Sequence, residues 1–466
     1  MKNQKIMYGL MGGFVLFCAT AIFYSQSMST DPNRTLQSSK KIKKMDGRDL
    51  ILGQISEKNS EVQNEPSALF NDPAIKQAWG LKKSDAARAW SISRGSKKVV
   101  VAVIDTGIDA NHEDLKNNLW INAGESGLDS NGHDKATNGI DDDGNGLVDD
   151  IHGWNYVSNN NNLTDNHGHG THIAGIIGAE AGNKKGIIGI SPDVSIMVLK
   201  YYDPKVPNTD NLKNTIAGIQ YAVKMGANII NYSGGGTDFS QEEHDAIEAA
   251  ERKGILFVAA AGNERSNSDE HHYYPADYKL KNIISVTAID PTTEVLASSN
   301  YGTDTVDIAA PGQNILSCLP NSTYGLMTGT SQATAFVTGA AVLVMAHKDL
   351  YGQPEEIKKY ILATGDSSAS LMAKTKTSRQ LNLYKALTIL GGEKKDFAGG
   401  KSVVIGQFTN ETKANSDDPN LKNNPNKNLK EVATFGKDFM KVLGIHDRRK
   451  KPVVDKLGAA PEKEQN

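Results

Sequence analysis

The decapeptide NHGHGTHIAG, residues 166–175, sets His167, His169 and His172 close together, among glycines and ahead of an apolar run. Two chemistries use histidines in this way. A His-x-His-x-x-His spacing occurs at zinc sites, and a single imidazole whose charge changes near neutral pH can move protons. The residues that follow read as a helix with Ile173, Ile176 and Ile177 on its core face, which leaves His169 at the exposed N-terminal end. The helix dipole there disfavours added positive charge and helps keep an imidazole neutral and able to accept a proton. Local spacing alone leaves both chemistries open.

Two further residues bear on the choice. Asp105 closes the apolar run VVVAVID, and an open parallel sheet delivers side chains to a crevice at the carboxyl ends of its strands. Its ordinary alternative is to cap the DTGID turn. Ser331 lies in TYGLMTGTSQATAFVTGAAVLVMA, residues 323–346, where small residues crowd around it and a long apolar helix begins. Serine in that place is commonly an N-cap. An activated serine, however, needs a base, and the base needs an orienting carboxylate. His169 and Asp105 supply both.

These side chains must be carried by regular elements. Short apolar runs at Val99–Ile104, Ser195–Leu199, Ala227–Asn231, Ile255–Ala260 and Ile283–Thr287 read as strands, and segments 169–180, 211–225, 240–253, 331–347 and 354–364 read as helices. The alternation predicts an α/β fold, a mainly parallel sheet covered by helices on both faces.

With ILFVAAAGNER added, the chain resembles the subtilisin-like serine proteases, the subtilases. The residues that carry the resemblance are VAVIDTGID, HGHGTHIAG, IINYSGGG, AAAGN and GTSQATA, in the family's order Asp, His, Ser, over roughly residues 72–391. The resemblance implies a three-layer α/β/α sandwich and a serine endopeptidase that cuts protein or peptide substrates. It implies that Asp105 orients His169, that His169 takes the proton of Ser331, and that His167 and His172 are neighbours rather than catalysts. It assigns Asn263 to the oxyanion hole with the Ser331 backbone N–H, where a lost donor typically costs about 100- to 1000-fold in turnover. Ser233, Gly234 and Gly235 resemble the segment that pairs with extended substrate backbone. Gln332 and Ala335 stand where the family usually has Met and Pro, and YYDPKVPNTD replaces its usual Gly-Ser-Gly substrate strand. Tyr274-Pro275 resembles a bond that is cis in the family, and Tyr273 falls where a small residue often floors the pocket for the side chain before the cut.

A separate motif, NGIDDDGNGLVDDIHGW, packs five aspartates around Gly144 and Gly146. Such density of like charge is unfavourable without a cation. Asp141, Asp143, Asn145 and Asp149 follow the 1, 3, 5, 9 spacing of oxygen ligands in a calcium loop, although His152 takes the twelfth position where the helix–loop–helix type has Glu. Structural calcium is the expectation, with a solvated acidic loop as its alternative.

Composition and the chain ends set the remaining bounds. A formal net charge of -3 over 466 residues gives no electrostatic footprint for nucleic acid. With Cys18 in an N-terminal apolar run and Cys318 alone in the remainder, the folded part holds no intramolecular disulfide. Residues 1–27, with MKNQK before an apolar run over residues 6–23, read as an export signal or, if retained, a membrane anchor. The expected location is secreted or extracytoplasmic, with a membrane contact only if that segment stays. Residues 28–69 read as a pro-segment or linker, 70–392 as the peptidase domain, and 393–466 as a polar tail, with one short helix near 428–443.

Overall fold

Parallel strands that are covered on both faces need near-continuous apolar runs, and those runs carry the central sheet of the computed structural model, which describes residues 69–389. In chain order the elements are α1 (Trp79–Lys83), α2 (Ala86–Trp90), β1 (Gly95–Asp105), β2 (Gly153–Asn155), α3 (His169–Gly178), β3 (Asp193–Lys200), α4 (Asn211–Lys224) and β4 (Ile229–Tyr232). There follow α5 (Gln241–Arg252), β5 (Leu256–Ala260), β6 (Ile283–Ile289), β7 (Ile308–Pro311), β8 (Ile315–Leu319), β9 (Thr323–Met327), α6 (Thr330–Lys348), α7 (Pro354–Thr364), β10 (Asp366–Ser367), β11 (Arg379–Gln380) and α8 (Leu383–Thr388). Nine strands form one sheet in the order β10-β11-β7-β6-β5-β4-β1-β3-β2, and only the β10–β11 pair is antiparallel.

Alternate side chains of β1 enter two cores. Val99, Val101 and Val103 pack with α3 and α6 on one face, whereas Ala102 and Ile104 pack with α4 and α5 on the other. The result is the expected three-layer α/β/α sandwich. Helix α6 is buried from Thr330 to Met345, which explains why its sequence is apolar on all sides rather than striped. All five expected strands and all five expected helices form. The expectation did not include the shorter strands: β7 and β8 are brief apolar runs of four and five residues, and β9, Thr323–Met327, is half-buried to exposed along its whole length.

The order β4-β1-β3 decides where a site forms. The chain leaves β1 for β2 and then β3 on one side and crosses to β4 on the other, which opens a crevice at the carboxyl ends of β1 and β4. Asp105 ends β1, and Ser233 follows directly on β4. The expected signal or anchor, the segment 28–68, the tail and its helix near 428–443 lie outside the described residues.

Candidate active site

Asp105 is 3% exposed. Its Oδ1 accepts the Thr106 N–H at 2.7 Å, so the turn-capping role is real, and the same carboxylate also meets His169. His169 Nδ1 lies 2.8 Å from Oδ1 and 3.0 Å from Oδ2. A carboxylate accepts only, so Nδ1 carries the proton and Nε2 is left as the basic nitrogen. Gly170 allows the approach. A Cβ at that position would lie 2.2 Å from the Gly107 carbonyl oxygen and 3.2 Å from Asp105 Oδ1, so any side chain would push α3 away from the end of β1. Burial disfavours the charged imidazole of His169, but the charge and hydrogen bond of Asp105, with a smaller push from Asp165, hold its pKa above the ordinary histidine value.

Ser331 occupies the first turn of α6 and is 7% exposed. Its hydroxyl donates to the Ser233 carbonyl at 3.0 Å; among the described residues no hydrogen bond joins it to His169. Asn263 lies beside the start of the same helix. Its Oδ1 accepts the Thr330 N–H at 3.1 Å and the Thr330 hydroxyl at 3.3 Å, which fixes the amide and leaves its NH2 as the donor. Ser233, Gly234 and Gly235 form the strand end opposite. Just beyond them Gly236 pairs with Tyr274, N–H to carbonyl at 2.9 and 2.7 Å, and the Tyr274-Pro275 bond is cis.

The other two histidines of the cluster do not converge with His169 on a common point. His172 is fully buried, and its Nε2 donates to the carbonyls of Ile315 at 3.0 Å and Gly325 at 3.2 Å, tying α3 to the β8–β9 hairpin. The His167 ring is exposed, 6.2 Å from that of His169 and 6.3 Å from Tyr202. A cavity of about 600 Å³ opens beside it, lined by Asp109, Asp149, His152 and Lys205 together with Ile108 and Leu163.

In the acidic loop the oxygens gather differently from the 1, 3, 5, 9 expectation. Asp141 spends both oxygens on its own turn, accepting the N–H groups of Asn145 and Gly146. Asp149 Oδ1 accepts the Gly139 N–H, and the Asn145 amide donates to Asp143 and Asp150. Of the four expected ligands, Asp143 alone joins a convergent group, with Glu125 and Asp150, whose oxygens lie within 4.8 Å of one another. Glu125 Oε2 is buried and has no hydrogen-bond partner. Burial pushes the Glu125 carboxyl up from its ordinary value. Neither Glu125 nor Asp150 was singled out from the sequence as a ligand; Glu125 is too distant along the chain to belong to any local spacing.

With this geometry in place, comparison with known proteins is specific. The family model described as the subtilase family matches residues 96–386, more than half of the chain. The chain is a subtilase. Among its relatives, the subtilase is 35% identical over 272 residues to the major intracellular serine protease of Bacillus subtilis (strain 168), covering 58% of this chain and 75% of that protein. It is 34% identical over 275 residues to thermitase of Thermoactinomyces vulgaris, covering 59% and 84%. It is also 31% identical over 324 residues to subtilisin-like protease 2 of Plasmodium falciparum (isolate 3D7), where the match covers 67% of this chain and 22% of the relative. The subtilase thus spans under a quarter of that relative's length, and 48% of subtilisin-like protease 1 of Plasmodium berghei.

Proposed function

We propose that this subtilase is a serine endopeptidase that hydrolyses peptide bonds through an acyl-enzyme, with Ser331 as nucleophile, His169 as general base and Asp105 as the carboxylate that orients it. The observation that carries the reading is the Asp105–His169 contact at 2.8 Å, which puts the proton of the neutral, half-buried imidazole on Nδ1 and leaves Nε2 as its basic nitrogen. An incoming substrate N–H that takes the Ser233 carbonyl displaces the Ser331 hydroxyl, which then turns to His169 and gives up its proton as it attacks. The Asn263 amide and the Ser331 backbone N–H receive the negative charge that develops on the carbonyl oxygen. The resemblance of the chain to relatives named as serine proteases supports the same chemistry.

The finer parts of the proposal concern metal, location and chain organisation. The acidic loop holds calcium, and the unpartnered Glu125 Oε2 with Asp143 and Asp150 is the donor set that fits a hard, oxygen-seeking cation. Asp141, Asn145 and Asp149 shape the turn that presents Asp143. The ion's contribution is charge neutralisation and loop order, not a step of the reaction. The N-terminal apolar run directs the protein out of the cytoplasm, or anchors it through residues 6–23, with 28–69 as pro-segment or linker and 70–392 as the peptidase.

Covalent labelling with a fluorophosphonate probe tests the central assignment. The expected result is one modified residue, Ser331, with labelling abolished in Ser331→Ala and reduced in His169→Ala by about a thousandfold or more. A folded parent that takes no label, or one labelled at another residue, overturns it.

A further inference from the structure

Asp165 lies four residues before His169, on the loop that enters α3, and is 5% exposed. Nothing in the sequence beyond its place ahead of a helix sets it apart. Its hydrogen bonds do. Oδ1 accepts from the Thr106 hydroxyl at 2.8 Å and from the N–H groups of His167 at 2.9 Å and Gly168 at 2.7 Å. Oδ2 accepts from the Thr171 N–H at 2.9 Å and the Thr171 hydroxyl at 2.7 Å. Thr106 follows Asp105 in the chain, and its hydroxyl oxygen accepts in turn the Gly170 N–H at 2.9 Å, next to His169.

One buried carboxylate therefore holds both partners of the pair that the proposed mechanism uses. Through Thr106 it grips the end of β1 that carries Asp105, and through Gly168 and Thr171 it caps the turn of α3 that carries His169. Burial alone would raise its pKa, but the backbone donors Gly168 and Thr171 outweigh that and keep it below the usual carboxylate value, so the negative charge persists. The outer side of the loop is anchored separately: Lys200 Nζ, 2.7 Å from Asp203, also bonds the Thr164 carbonyl, and Asp203 accepts the Asn166 amide at 2.7 Å. The loop is thus fastened on both flanks of Asp165.

We propose that Asp165 is a positioning residue for this protease: it fixes the separation of Asp105 and His169 and supplies a second negative charge near the imidazolium formed during acyl transfer. The proposal rests on His169 being the general base. The charged and titratable groups around that imidazole are Asp105 from β1, Asp165 and His167 from the entering loop, and His172 from α3, which burial keeps neutral.

The test is Asp165→Asn in the full chain, which keeps size but removes the charge and sets an amide NH2 against one of the donors. Turnover is expected to fall by about 10- to 100-fold, as for a small misplacement of reacting groups. KM should stay within about twofold, because no substrate contact is lost. The acid limb of kcat/KM should move to lower pH, because the imidazolium loses a stabilising charge. Thr106→Val is the second variant, for the case in which Asp165→Asn does not fold. It removes the bridging hydroxyl and keeps the helix cap, and it should lower turnover without moving the acid limb, with Thr106→Ser restoring the rate. Parental turnover and an unmoved acid limb in Asp165→Asn, with only thermal stability reduced, would overturn the proposal, as would parental turnover in Thr106→Val. A parent that hydrolyses no peptide and takes no fluorophosphonate overturns the triad reading as well, which separates that failure from this one.

Discussion

The ring of Tyr273 lies between Gly235 and Gly262, where the proposed peptidase reading places the substrate side chain before the cut. A Cβ built on Gly235 would lie 2.5 Å from Tyr273 Cε1, and one on Gly262 3.0 Å from Tyr273 Cδ1, so the ring stands between the two glycine walls. Its backbone is held as well, with the N–H donating to Asp277 at 2.7 Å. On that reading the space for the residue before the cut is short, and small side chains should be preferred there. Replacing Tyr273 by Gly should raise kcat/KM for peptides with Phe or Leu at that position, relative to Ala, by about 10- to 100-fold, since a few methylene groups of pocket are worth that much. Competition between paired fluorogenic peptides reads the ratio directly; an unchanged ratio would mean that the ring is not the pocket floor.

Helix α3 is held at its base by a histidine that does no chemistry in the proposed mechanism. His172 binds two carbonyls of the β8–β9 hairpin region, and burial, with His169 nearby, brings its pKa down to about 4. The unfolded chain takes up this proton near its ordinary value of 6.5, whereas the folded chain does not until about pH 4. The unfolded state thus binds more protons across that window, so stability is full above it, declines as pH falls through it and levels off below it. A shift of this size corresponds to roughly 3 kcal/mol. In His172→Gln, urea midpoints compared at pH 7 and pH 4.5 should differ by less than in the parent, even if the variant is weaker at both. An equal difference would remove His172 from the acid response.

Across the whole molecule, the acidic loop is fastened to the layer that covers the second core. Tyr221 of α4 donates to Asp150 at 2.6 Å, and Lys224 of the same helix donates to the Asn145 carbonyl at 2.7 Å. A cation bound there stabilises more than its own loop. At a free calcium concentration a hundred times the dissociation constant the gain is about 2.7 kcal/mol, and each kcal/mol moves Tm by roughly 1–2 °C in a domain larger than about 250 residues. Chelation should therefore lower Tm by several degrees, and Glu125→Gln should lose most of that response. A melting curve indifferent to chelator would sink the calcium reading. The sequence by itself determined the sandwich, because strands buried on both faces must be apolar throughout and the helices between them repeat with their own period. Local pattern placed Asp105, His169 and Ser331 at the end of a strand or the start of a helix, and the resemblance to the subtilases, not that pattern, gave them their roles. The resemblance pointed to Tyr273, but only the tertiary structure decided that its ring lies between Gly235 and Gly262, that Glu125, Asp143 and Asp150 converge, and that Asp165 reaches both sides of the Asp105–His169 contact. Such meetings depend on how separate loops fold back over one another, and no periodicity along the chain records which oxygen will face which donor.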